Sequence, residues 1–218
     1  MKIRHMACAL LCLSGLPLKA AADTNVNKVY LGAGVGLSEE SDFCDLINSD
    51  GSGDCDEGDY AGRVMVGYKI NPYLGFEFSY VDAEGSTFEE SEAYSQGNID
   101  YVNRFTADIS LERYSVDVVG MLPLQAGFML LGRAGYGKNT LQVESKLLLD
   151  DEDAIERDEY DEDSDGAAFA VGASYTWRDV EARVMIERIW RVEAFERNGK
   201  VQDSDFTLFG AEVLMHFM

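Results

Sequence analysis

Val64-Met65-Val66-Gly67-Tyr68-Lys69-Ile70-Asn71-Pro72-Tyr73-Leu74-Gly75-Phe76-Glu77-Phe78-Ser79-Tyr80 alternates in character twice, with one interruption. Val64, Val66, Tyr68 and Ile70 fall on one side of an extended chain, opposite Arg63, Met65 and Lys69. After Asn71-Pro72 the pattern resumes, with Leu74, Phe76, Phe78 and Tyr80 opposite Gly75, Glu77 and Ser79. A period of two marks a strand whose faces meet different surroundings. Proline at the break fits a tight turn, so the two runs are expected to pair antiparallel.

Six more segments follow the same rule: Lys28 to Leu37, Leu111 to Met121, Phe128 to Gly137, Ala168 to Trp177, Val180 to Trp190 and Phe206 to Phe217. Their connections alternate in length. Asn71-Pro72, Leu122 to Gly127 and Arg178-Asp179 are short, whereas Ser38 to Asp59, Asp82 to Ser110, Lys138 to Ala167 and Arg191 to Asp205 are long. One trimmed end and one end with large loops is the pattern of an all-β, eight-stranded antiparallel transmembrane barrel, with short periplasmic turns and long extracellular loops.

Charge decides which face meets lipid. The apolar face carries only Glu112 and Arg188, both toward the long-loop end. The other face carries Lys28, Arg63, Lys69, Arg113, Arg133 and Arg183 against Glu77, Asp117, Glu181, Glu187 and Glu212, which nearly cancel. An eight-stranded barrel is filled by its own side chains, and a balanced set of charges suits such a filling. A lysine or arginine at the lipid midplane would cost about 2–4 kcal/mol. Tyr68, Tyr80, Tyr114, Phe128, Tyr136, Tyr175, Trp177, Trp190 and Phe217 lie near segment ends on the apolar face, as in aromatic girdles. The competing account is a secreted β-sandwich with the apolar face inside.

Residues 1–22 have a separate character. Lys2 and Arg4 precede an apolar run from Met6 to Leu18, and Ala20-Ala21-Ala22 offers a small-residue cleavage site, which reads as a secretory signal peptide. Residues 23–218 are then the barrel domain. Leu11 before Cys12 argues against lipidation. No run reaches the roughly 20 apolar residues of a membrane-spanning helix. The chain has 218 residues and a formal net charge of −22, which becomes −25 when Lys2, Arg4 and Lys19 leave. So acidic a chain, with no basic patch, is not expected to bind nucleic acid. Cys44 and Cys55 remain after cleavage, and in an exported protein they are expected to form a disulfide. A thiol metal site is the weaker alternative, with two cysteines and no histidine nearby.

Gly67-Tyr68 before Asn71-Pro72, Leu74 to Tyr80, Tyr114 to Pro123 and the final alternating segment together resemble the OmpA-like small outer-membrane barrel family. The resemblance implies a single barrel in a Gram-negative outer membrane, both termini in the periplasm, and contact with membrane lipid and lipopolysaccharide. A peptidoglycan-binding domain, which often follows such barrels, is not expected after the last segment. Apolar residues at Phe209, Ala211, Val213, Met215 and Phe217 resemble the signal read by the barrel-assembly machinery, although Met218 follows the aromatic. A monomer is expected.

Three sets of residues could carry chemistry. Arg63, Glu77, Asp117, Arg133, Arg183, Glu187 and Glu212 lie near mid-strand on the inward face, where ion pairs among them would plug the lumen or, rearranged, gate a narrow pore. In the loops, Asn48, Asp50 and Glu57 stand at positions three, five and twelve of an EF-hand, with Leu46 in place of the first carboxylate, and Asp161, Asp163 and Asp165 end the densest acidic run. Either loop set could hold Ca²⁺ or Mg²⁺ weakly; a solvated, self-repelling loop is the plainer account. No other cofactor is expected. His216 is the one histidine left after cleavage, and its inward position at the periplasmic end is wrong for lipid A chemistry at the outer leaflet. The expected role is non-enzymatic, structural or surface-interactive, with an adhesin or colonisation factor, a gated pore and a lipid A-modifying enzyme as rivals.

Overall fold

A computed structural model describes residues 28–40, 54–56, 59–96, 99–149, 155–197 and 200–217. These form nine strands: β1 (Lys28–Glu40), β2 (Asp54–Asp56), β3 (Asp59–Asn71), β4 (Leu74–Gln96), β5 (Ile99–Pro123), β6 (Phe128–Leu149), β7 (Ile155–Trp177), β8 (Val180–Arg197) and β9 (Lys200–Phe217). All but β2 pair antiparallel with their neighbours in the ring β1-β3-β4-β5-β6-β7-β8-β9, and β9 pairs β1 to close it. Closure leaves no edge in the bilayer, where an unpaired backbone group would have no water to bond. No helix among the described residues is long and apolar enough to cross a membrane.

At the short-turn end, the Asn71 side-chain oxygen accepts a hydrogen bond from the Tyr73 amide at 2.8 Å, closing the Asn-Pro turn. Arg178 takes the left-handed conformation at φ 58° in the two-residue β7–β8 turn. Its guanidinium lies 4.9 Å from the Trp177 ring centre.

Every large apolar residue assigned to the lipid side from the alternation points outward. Val116 and Val184 are 61 % and 65 % exposed, whereas Arg113 and Arg183 are 0 % and 1 %. In a soluble sandwich these figures would be reversed.

The strands run much further than the alternation suggests. β5 has 25 residues, while about 9–11 cross a bilayer. Ladder pairing reaches Gln96 with Ile99, Leu148 with Ile155 and Arg197 with Lys200, so the last three long connections are largely hairpins that extend the barrel wall. β2 lies on this extension, with Cys55 opposite Phe88. Above Ala168 and Ile189 the described β7–β8 pairing stops, so β4 to β7 continue as one sheet and β8–β9 as a separate hairpin. Register shifts occur between Glu84 and Thr87 and between Ile189 and Val192, near the height where the wall divides. Bulges are common at barrel rims.

Candidate functional site

The lumen is built by inward residues of all eight ring strands. Tyr30 lies directly across from Gly67, and a Cβ on Gly67 would sit 2.1 Å from the tyrosine ring. Glycine there lets the phenol cross the bore, where its hydroxyl donates to Glu77 Oε1 at 2.8 Å. Gly135 serves Asp117 in the same way: a Cβ would lie 1.7 Å from Asp117 Oδ1.

Arg133 and Arg183 organise the centre. Arg133 Nη1 donates to Glu77 Oε2 and Glu212 Oε1, both at 3.2 Å, and Nη2 donates to Glu187 Oε2 at 2.5 Å. Arg63 binds the same oxygen of Glu187. Arg183 binds Glu77 through Nη1 and Glu181 Oε1 through Nε at 2.7 Å. Toward the periplasmic end, Glu181 Oε2 meets His216 Nε2 at 2.9 Å and Lys69 Nζ at 3.3 Å. Lys28 pairs with Asp179 of the turn at 3.4 Å.

Buried charges are tolerated where each has partners of opposite sign, and removal of one partner typically costs about 3–5 kcal/mol. The sharing of acids among three arginines makes the centre a network, in which the loss of one member strands several others.

Six of the seven residues expected at the centre are brought together in this network: Arg63, Glu77, Arg133, Arg183, Glu187 and Glu212. Asp117 is inward and buried, but its bonds come from Ser115 Oγ at 2.9 Å and Ser79 Oγ at 3.3 Å, and among the described residues no cation lies within ion-pair distance of it. Arg113 likewise reaches no carboxylate among the described residues; it donates to Asn139 Oδ1 at 2.6 Å and the Gly166 carbonyl at 3.2 Å. Tyr30 and the two serines were not singled out from the sequence. The signal available was Tyr30's place among Lys28 and the glycines of the inward face.

Apolar layers flank the ions. Val81, Ala83, Ile109, Leu111, Leu141, Ala168, Ile189, Val192, Phe206 and Leu208 form a buried cluster at the long-hairpin end. Val119, Met121, Met129, Leu131, Ala170 and Met185 form another along the β5–β8 wall. The lumen thus has a greasy cap that the count of inward charges did not reveal.

Among the expected loop residues, Cys44, Asn48, Asp50 and Glu57 lie outside the described residues. Asp161, Asp163 and Asp165 share the outer face of β7. Asp163 is engaged by Lys138 Nζ and Thr140 Oγ1, both at 2.8 Å, which holds its carboxyl below the ordinary range. Among the described residues no group of three or more histidine, cysteine or acidic side chains is placed to hold a metal ion.

A closed antiparallel barrel with an apolar belt outside and ion pairs within is an outer-membrane protein. The chain belongs to the outer membrane protein beta-barrel domain family, whose model matches residues 8–217. Its fold is similar to that of Neisserial surface protein A, at 15 % identity over 87 % of this chain and 97 % of that one, with a TM-score of 0.53. It is also similar to Ail, the attachment invasion locus protein of Yersinia pestis, at 11 % identity over 88 % and 99 %, with a TM-score of 0.50. No curated protein matches the sequence.

Proposed function

We propose that this protein is a non-catalytic anchor that holds acidic hairpins at the cell surface, where they meet cations, lipopolysaccharide or another surface. The observation that carries the reading is the contrast between a filled bore and long outer strands. Ion pairs cross the middle of the lumen and an apolar cluster lies above them, leaving no wide aqueous path, while β4 to β7 carry backbone well past the belt. Binding contacts concentrate on such projecting segments. Ail shares the fold, and its name motivates the version of this reading in which the hairpins touch a host surface. Removal of residues 1–22, a Cys44–Cys55 disulfide and a monomeric state belong to the same reading.

Planar-bilayer recordings of the refolded protein test it. The expected trace shows no large, steady conductance; such a conductance would replace the anchor by a pore. A variant lacking residues 88–105 should keep heat-modifiable gel migration yet lose binding to lipopolysaccharide or cells. Retained binding would move the interaction away from that hairpin.

A further inference from the structure

Where the barrel wall divides, β7 is left with one open side. β6 and β7 stay paired without a register shift from Phe128 with Tyr175 to Leu148 with Ile155, whereas among the described residues β7 and β8 pair no further than Ala168 with Ile189. The register shift between Ile189 and Val192 lies at the point of separation, and Val192 is buried in the apolar cluster over the lumen. The turns fix which backbone groups face the opening. The Thr176 amide donates to the Gly127 carbonyl at 2.9 Å, and Trp177 pairs with Val180 across the β7–β8 turn, so even-numbered residues of β7 bond toward β6 and odd-numbered ones toward β8. Carried up the unshifted strand, this parity turns the N–H and C=O of Glu159, Asp161, Asp163 and Asp165 to the open side.

The side chains of the same residues are exposed on the outer face. Lys138 holds Asp163 from the β6 side, while among the described residues no cation pairs with Glu159, Asp161 or Asp165. We propose that this edge of β7 takes an extended cationic polypeptide segment as an added antiparallel strand. The main chain of the segment bonds to the odd-numbered residues, and its alternate lysines or arginines stand beside the outer-face carboxylates. This rests on the reading of the hairpins as a contact surface and adds the chemistry of the partner.

Backbone and charge together select the occupant. An open edge pairs with any strand that fits, and alternate side chains then decide which one stays. A second copy of this edge would set carboxylates against carboxylates, and like charges directly across a strand pair repel. Lipopolysaccharide phosphates are repelled in the same way and carry no peptide ladder. A metal ion would meet the carboxylates but leave the main chain unbonded. Residues directly opposite in an antiparallel pair share a face, so a strand with Lys or Arg at every second position meets Glu159 through Asp165 in one register.

The test uses the full chain refolded in micelles and fluorescent peptides of about ten residues alternating Lys and Thr, long enough to span the edge. Binding is read by anisotropy and the edge by amide hydrogen exchange. The amides of Glu159, Asp161, Asp163 and Asp165 should exchange quickly in the free protein and slow when the peptide binds, with Glu162 protected throughout. A peptide N-methylated on its lysines keeps its charge but loses its bonding edge, and should bind about tenfold more weakly, whereas methylation on the threonines should change little. Asp161→Pro, which removes an N–H on the open side and no bond to β6, should weaken binding about tenfold, and Asp161→Asn, which keeps that N–H, about threefold. The methylated peptides probe the edge without altering the protein. Equal binding of the two overturns the added strand, and equal binding of a Glu–Thr peptide overturns the cationic partner. Edge amides already protected in the free protein, by its own chain or by a second copy, overturn the open edge. These outcomes leave the filled lumen untouched, so the anchor reading stands or falls separately on its conductance.

Discussion

Ion pairs inside the barrel and ion pairs on the outer hairpins use the same side chains under different rules. Arg133 is 2 % exposed and reaches three carboxylates, each held in turn by another group. Lys138 and Asp163 form a 2.8 Å pair on the outer face, where both side chains are more than half exposed. Water can replace either partner at the surface, so such a pair contributes little. In the lumen a stranded charge is cut off from bulk water, so removal of one partner is far more costly there. Surroundings, more than partner identity, decide what a salt bridge does.

That contrast can be broken experimentally, most forcefully at its centre. Arg133→Met should destabilise the refolded barrel by about 3–5 kcal/mol in denaturant titrations, because Glu77, Glu187 and Glu212 lose a shared cation. A change comparable to that of a surface pair would remove the distinction. Val184→Arg, on the lipid belt, should cost about 2–4 kcal/mol, whereas Thr140→Arg, on the outer face beyond the belt, should shift the midpoint little. Gly67→Ala should cost about 1–3 kcal/mol, since the new methyl and the Tyr30 ring cannot share the bore.

The smallest effect belongs to the exposed pair. Lys138→Ala should leave the unfolding midpoint unchanged within error but raise the Asp163 titration midpoint toward the ordinary carboxylate value, read by NMR of the side-chain carboxyl carbon. Because the Asp163 pKa is depressed in the folded protein, any stability from the pair is present above its unfolded value and is lost as pH falls through the folded one. A large acid-dependent loss that Lys138→Ala abolishes would show that this pair behaves as a buried one.

The lipid face was legible because hydrocarbon tolerates almost nothing but apolar side chains. Phe76, Phe78, Val116 and Val184 therefore announced themselves by parity, and Arg63, Glu77 and Arg183 were placed inside by the same rule. Strand length was not legible. Beyond the bilayer the lipid constraint ends, so Thr140 to Lys146 ladders with Arg157 to Asp163 without the alternating apolar stripe of the belt, and acidic residues of low strand propensity occupy paired positions.

Asp117 shows a second limit. Parity placed it in the lumen, but could not distinguish an arginine partner from Ser115 and Ser79. Leu111, Ile189 and Phe206 show a third: a lumen constrained only to be filled accepts apolar residues as readily as paired ions, so the inward set did not reveal the cap.

The sequence by itself determined the barrel, the outward face and the near neutrality of the ionised interior, because membrane physics acts position by position along each strand. Only the tertiary structure decided which acid each arginine takes. Those contacts join residues as far apart as Arg63 and Glu187, which meet because strand pairing and closure carry opposite walls of the ring to one height. Coulomb attraction and hydrogen bonding act over a few ångströms, and sequence separation carries no record of that distance.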